Sequence, residues 1–200
     1  MTKGGGAEPA DDRELLGQVA HGSQPALEAL YRRHEHRLFR YLTGLLGTDT
    51  SRAGEVTCET FYEVWQQAGR FRGDSTVATW IFGIARHKAL TVLRRTRRTE
   101  GEEALAHTAA DVEDPLERLS GEQAATRVRQ ALEALSPDHR EVLELACYQD
   151  FSYPQIAELL GCPVNTVKTR AFYARRHLER VLAGPSGAST TRREGGDEPA

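Results

Sequence analysis

Residues 152–176 read SYPQIAELLGCPVNTVKTRAFYARR, and this stretch decides the fold. Ser152 and Gln155 stand three apart, the spacing of a capping box, in which the serine oxygen accepts from a first-turn amide and the glutamine bonds back. A helix therefore starts here. Ile156, Ala157, Leu159 and Leu160 give it an apolar face, and Gly161-Cys162-Pro163 ends it, because glycine tolerates the left-handed conformation and proline cannot extend a helix. A second helix begins near Val164. Ala157, Gly161 and Val167 have helix-turn-helix spacing: a small residue at the helix crossing, a glycine in the turn and an apolar anchor on the second helix.

In that second helix Val164, Val167, Ala171, Ala174 and Leu178 face inward. Asn165, Thr166, Lys168, Thr169 and Arg170 are left for DNA, with Arg175 and Arg176 placed for phosphates. Arginine and asparagine suit bidentate contacts with guanine and adenine edges, each worth about 1–3 kcal/mol of discrimination. Asn165 and Arg170 are thus the candidate base readers. The plainer alternative is an amphipathic helical pair with a solvated basic face.

Working outward, nearly every ordered segment has helical period and none shows the sustained alternation of a half-buried strand. The expected fold class is all-α: two small helical domains joined by an acidic flexible linker, the second ending in the helix-turn-helix. Upstream in that second domain, helices are expected over Gln123–Leu135 and, after the cap-like Ser136, over Pro137–Tyr148. The first domain opens with a long helix capped by Ser23 with Pro25 in its first turn, running to Gly47 with Leu27, Leu30, Tyr31, His34, Leu38, Tyr41, Leu42 and Leu45 on one face. A second helix spans Asp49 to Gln67, with Val56, Phe61, Val64 and Trp65 apolar. A turn over Gly69–Asp74 leads to a third, capped by Asp74 or Ser75, that passes Trp80, Ile81 and Ile84 and ends in Arg94, Arg95, Arg97 and Arg98. The domain boundaries read as 11–98, 99–122 and 123–183, with polar tails over 1–10 and 184–200.

The net charge of −3 conceals a segregation. Pro25–Arg98 is net basic, whereas Thr99–Glu122 sets Arg118 against Glu100, Glu102, Glu103, Asp111, Glu113, Asp114, Glu117 and Glu122, and lacks aromatic residues. The apolar stretches fall well short of the roughly 20 residues of a membrane span, so a soluble, cytoplasmic protein without membrane insertion is expected. Cys58, Cys147 and Cys162 form no C-x-x-C pair, which argues against a disulfide framework or zinc site. There is no P-loop, no nucleophile motif and no metal spacing among the histidines. The expectation is a protein that is not an enzyme and holds no cofactor or metal.

Two blocks of residues, in order, carry a family resemblance. The first is Glu59-Thr60-Phe61 with Trp65, then Phe71-Arg72-Gly73-Asp74-Ser75, Thr79-Trp80 and Ile84-Ala85-Arg86. The second is Leu135-Ser136-Pro137, Arg140-Glu141-Val142-Leu143, Ile156-Ala157-Glu158, Gly161 and Thr166-Val167-Lys168-Thr169-Arg170. Together they resemble the extracytoplasmic-function (ECF, group IV) sigma factors of the bacterial sigma-70 family, over about Pro25 to Leu182. The resemblance implies that the first domain is region 2, which docks on the clamp of core RNA polymerase and melts the promoter −10 element. The second would be region 4, which reads the −35 element, with the polymerase flap as a further contact.

Matching positions for polymerase docking are Glu55, Glu59, Phe61 and Trp65; Phe61 and Trp65, at i and i+4, are more often packed inward than at an interface, which leaves Glu55 and Glu59 as the preferred contacts. For −10 capture they are Arg72, Asp74, Ser75, Thr76, Trp80, Arg86, His87, Lys88, Arg94 and Arg95, since melting needs a pocket for an unstacked base and a basic track for its backbone. The resemblance also implies an anti-sigma protein as partner and an acidic linker threaded through the polymerase channel, which either mimics RNA there or serves as a solubilising spacer. Gly54, Thr57, Cys58, His87 and Thr91 depart from the usual family pattern. A helix-turn-helix regulator of the response-regulator type, binding DNA without polymerase, is the rival reading, and it accounts for the C-terminal half alone.

Overall fold

The computed structural model describes residues 10–47, 49–103, 128, 130–132 and 134–183, with backbone alone for 97 and 99–103. The expected tails other than Ala10, and the acidic linker beyond Glu103, lie outside the described residues, as does most of the helix expected before Leu135. All regular structure among the described residues is helical.

Four helices make the N-terminal part: α1 (Asp12–Ala20), α2 (Gln24–Leu46), α3 (Thr50–Gln67), followed by a 3-10 turn over Ala68–Arg70, and α4 (Val77–Glu103). Three more make the C-terminal part: α5 (Pro137–Cys147), α6 (Tyr153–Leu160) and α7 (Val164–Ala183). Helix starts follow the side chains able to cap them. Ser23 accepts from the Ala26 amide at 3.3 Å, Asp49 from Arg52 at 2.9 Å and Ser136 from His139 at 3.4 Å.

Three details differ from the sequence reading. The nine-residue α1 is an additional helix; it buries Leu15, Leu16 and Val19 and is capped by Asp11. The cap of α4 is Thr76, which accepts from the Thr79 amide at 3.1 Å, rather than Asp74 or Ser75. Helix α4 also continues through Glu103, into the stretch expected to be linker. No proline stands between Thr99 and Pro115, and Gly101 alone costs a helix only about 1 kcal/mol.

The helices of the two parts share one apolar interior. Leu30, Leu38, Leu42, Val56, Val64, Ile81 and Phe82 from α2–α4 are continuous with Val142, Leu145, Phe151, Ile156 and Val167. At the seam the Phe82 and Phe151 rings meet edge to face at 5.0 Å, and the Arg37 guanidinium lies 5.9 Å from both ring centres. Arg37 also donates to the carbonyl oxygen of the buried Gln149. The two parts expected as separate beads are packed on each other through these groups.

Candidate nucleic-acid interface

The helix-turn-helix is built as its local sequence dictates. Both halves of the Ser152–Gln155 capping box form, and Gly161 takes the left-handed conformation at φ 65° and ψ 38°. The Cys162 amide then reaches back to the Ala157 carbonyl at 3.0 Å, closing the last turn of α6. Ala157, Val167, Ala171 and Ala174 are buried, which turns the opposite side of α7 outward. Asn165, Lys168, Thr169, Arg175 and Arg176 are exposed there and Thr166 is half-buried.

Arg170 departs from the expectation of a free base reader. Its guanidinium is ion-paired with Asp138 at the start of α5, and its side chain keeps 27 % exposure. Base reading by Arg170 therefore requires exchange of Asp138 for a base edge. Thr169 donates its hydroxyl to the Asn165 backbone carbonyl at 2.9 Å, and the Asn165 side chain is exposed.

A second surface lies between α3 and α4. An open groove of about 770 Å³ brings Ser75, Trp80, His87, Lys88 and Arg95 together with Glu59 and Glu63, and Glu158 and Leu159 of α6 stand at its edge. Lys88 spans the groove floor, 3.3 Å from Glu63 and 3.7 Å from Glu59. The groove thus joins the Trp80 ring and hydroxyl groups to charges of both signs, with Lys88 and Arg95 set against Glu59, Glu63 and Glu158. Arg94 is exposed beyond it, with its Nε donating to the Leu90 carbonyl.

The loop Phe71–Thr76 enters α4 beside that groove. Arg72 and Asp74 are exposed and ion-paired at 3.1 Å, and the Phe71 and Trp80 rings pack at a tilt of 52° with centres 5.3 Å apart. The Thr76 oxygen is taken up in capping α4 and by the Thr79 hydroxyl at 2.8 Å, so it is less available to a ligand than expected.

Arg86 departs from expectation in the same way as Arg170. It lies on the flank of α4 facing α5, where Nε and Nη2 donate to the two Glu141 oxygens at 2.8 and 3.2 Å. Tyr41 donates to the same carboxylate at 2.7 Å. Burial opposes the guanidinium charge, but the Glu141 hydrogen bonds and charge outweigh it and hold the Arg86 pKa above its ordinary value. Burial, reinforced by Glu141, raises the Tyr41 phenol well above its usual range. In this packing Arg86 is not part of a solvent-facing track.

On α3 the proposed docking residues divide. Glu55 and Glu59 are exposed and Trp65 is half-buried, but Phe61 is 4 % exposed and packs edge-on against Tyr31 at 4.9 Å. Phe61 is a core residue: the helical period that exposes Glu55 and Glu59 turns position 61 inward. Tyr62, not among the positions expected from sequence, is exposed on the same ridge beside Glu55 and Glu59. Its aromatic character next to two carboxylates is the signal that could have found it. Among the described residues no group of His, Cys, Asp or Glu is arranged to hold a metal ion, and no helix is long and apolar enough to cross a membrane.

One all-helical chain thus carries a helix-turn-helix with an exposed polar edge and, apart from it, a groove lined by Trp80 and by charges of both signs. Comparison with known proteins makes this specific. Residues 30–99 match sigma-70 region 2 and residues 125–178 match sigma-70 region 4. The chain is 31 % identical over 181 residues to the ECF RNA polymerase sigma factor SigM of Mycobacterium tuberculosis, covering 89 % of this chain and 88 % of that protein. It is 30 % identical over 188 residues to the ECF RNA polymerase sigma-E factor of Haemophilus influenzae, covering 88 % and 97 %. Among solved structures it resembles that of CnrH in complex with the cytosolic domain of CnrY, with a TM-score of 0.63, 26 % identity and coverage of 88 % of this chain and 99 % of that one. The chain belongs to the ECF sigma factors of the sigma-70 family, and it is an alternative sigma factor. The region 2 match rules out the response-regulator reading, which left the N-terminal half without a role.

Proposed function

We propose that α7 reads the −35 element through Asn165, Thr166, Lys168, Thr169 and Arg170, with Arg175 and Arg176 on phosphates, while the α3–α4 groove and the Phe71–Thr76 loop capture the melted −10 strand. Lys168 and Arg175 add sequence-independent attraction, and Asn165 adds discrimination. In the groove, Trp80 offers a stacking face, and His87, Lys88, Arg94 and Arg95 guide the backbone. Arg86 joins them after leaving Glu141, and Arg170 contributes after leaving Asp138. Core polymerase docks along Glu55, Glu59, Tyr62 and the edge of Trp65, with Phe61 shaping that ridge from beneath. The polymerase supplies the catalysis and the chain supplies the choice of site.

The observation that supports this reading is the presence, in one chain, of two chemically distinct surfaces, the exposed polar edge of α7 and the groove beside Trp80, within the stretches that match regions 4 and 2. The matched CnrH chain was solved with the cytosolic domain of CnrY, and by that likeness a protein partner of the anti-sigma type is part of the reading. Initiation assays with reconstituted holoenzyme test it. Lys168→Ala and Asn165→Ala are expected to lower promoter-specific transcription with core binding intact, and Glu55→Lys with Glu59→Lys to lower core binding itself. Full specific transcription from Asn165→Ala combined with Lys168→Ala would refute the −35 assignment.

A further inference from the structure

Helix α1 lies outside the residues matched by region 2, yet it touches the loop assigned to strand capture. Arg13 reaches across sixty positions to donate from Nη2 to the Gly73 carbonyl at 3.0 Å. Its guanidinium lies 6.0 Å from the Phe71 ring centre, and that ring in turn packs at a tilt against Trp80 at 5.3 Å. Gly73 has φ +79°, and a Cβ there would meet the Arg13 guanidinium at 3.0–3.2 Å. The arginine therefore occupies the space that the missing side chain leaves.

The base of this arm is itself fixed. Asp12, next in sequence, accepts from Arg33 at 2.9 Å and from His34 at 2.7 Å on α2, and Asp11 caps the helix by accepting from Glu14 at 2.7 Å. The tip of the loop is otherwise held by the exposed Arg72–Asp74 pair, with both side chains in water. Exposed ion pairs add little rigidity. The contact from Arg13 is directed at the Gly73 carbonyl and the Phe71 ring, while the side chains of Arg72 and Asp74 stay exposed.

We propose that Arg13 is a positioning residue for promoter opening: it braces the Phe71–Ser75 loop from behind so that the loop presents a preformed edge to an unstacked −10 base. This rests on the reading of that loop as the capture element. Fixing a loop before its ligand arrives removes an ordering cost from the binding step. Loss of the brace is then expected as slower opening and weaker base preference, with no change in docking or −35 reading.

The test uses holoenzyme reconstituted from full-length protein and core polymerase on a duplex promoter and on a library randomised through the −10 element. Opening is followed by permanganate oxidation of unpaired thymines. Arg13→Ala is expected to slow opening by about three- to tenfold, the range set by losing one exposed charge-assisted hydrogen bond, and to flatten preference at the captured base. Arg13→Lys, which keeps a donor but not the planar contact with Phe71, should recover part of the rate. Asp74→Ala serves as the independent check of the loop. If Asp74→Ala flattens the −10 preference and Arg13→Ala does not, the brace is refuted and the loop reading stands. If neither variant changes it, the loop reading and the brace fall together. If Arg13→Ala lowers core affinity or the melting temperature in proportion to its activity, Arg13 is only a structural residue and the proposal is overturned.

Discussion

Glu141→Ala probes the seam between the two parts of the molecule. The Glu141 side chain is 8 % exposed and that of Arg86 is 23 % exposed, and the carboxylate accepts two bonds from Arg86 and one from Tyr41. Removing one member of a fully buried ion pair costs about 3–5 kcal/mol, because the other charge is left without a partner. Water reaches the partly exposed guanidinium, so the expected loss here is lower, about 2–3 kcal/mol. With a urea slope of about 2 kcal/mol per molar, the unfolding midpoint should drop by about 1–1.5 M.

Arg86→Ala should cost less than Glu141→Ala, since it leaves the carboxylate its bond from Tyr41. The double variant should be more stable than the sum of the single losses by about 1.5–2 kcal/mol, as the second deletion removes the stranded charge. Urea titrations of the four proteins, followed by tryptophan fluorescence and helical circular dichroism, measure that coupling. Trp65 and Trp80 report on the N-terminal helices, and circular dichroism reports on all of them. A coupling below about 0.5 kcal/mol, or additive losses, would refute the argument that this pair holds α5 on α4.

Other expectations follow from single groups. Burial holds the His34 imidazole below its ordinary pKa despite the attraction of Asp12, so the unfolded chain binds more protons between that lowered value and about 6.5. Stability should fall as pH drops below about 6.5, and His34→Gln should flatten that slope in melts between pH 7 and 5; an unchanged slope would assign it elsewhere. Burial raises the Asp12 carboxyl but its Arg33 and His34 contacts outweigh this and lower it, so its contribution is lost only in more acidic solution, as pH falls through that lowered value. Gly161→Ala should cost about 1–2 kcal/mol in thermal unfolding, because φ +65° is strained for any side chain, and Gly161→Asn should cost less. Lys168→Ala should weaken binding across all promoter sequences and reduce the salt slope of holoenzyme binding by about one, whereas Asn165→Ala should relax preference at a single base pair.

Local signals in the sequence translated directly into structure. The Ser152–Gln155 box, the left-handed Gly161 and the periodic faces of α2, α3 and α7 each depend on residues within a turn or two of one another, so their spacing carries the geometry. Helix α1 is hard to read from sequence because nine residues with a glycine at Gly17 give too short a period. Long-range partners left no local trace. Glu141 sits 55 positions from Arg86 and Arg13 sits 60 from Gly73, and no neighbouring residue signals either partner or shows that Arg86 is held by the protein rather than left for DNA. Phe61 shows the same limit on a smaller scale: apolar positions on an amphipathic helix identify a face, but only packing tells which of its edges is buried.

The most direct test of the central claim is transcription by purified core polymerase on a library of randomised promoters, with and without this protein, followed by sequencing of the transcribed templates. Two enriched blocks at a fixed separation should be recovered when the protein is present, one relaxed at a single base pair by Asn165→Ala and the other altered by Asp74→Ala. Transcripts from pure, folded protein that show no enrichment of any promoter sequence over core polymerase alone would contradict the account.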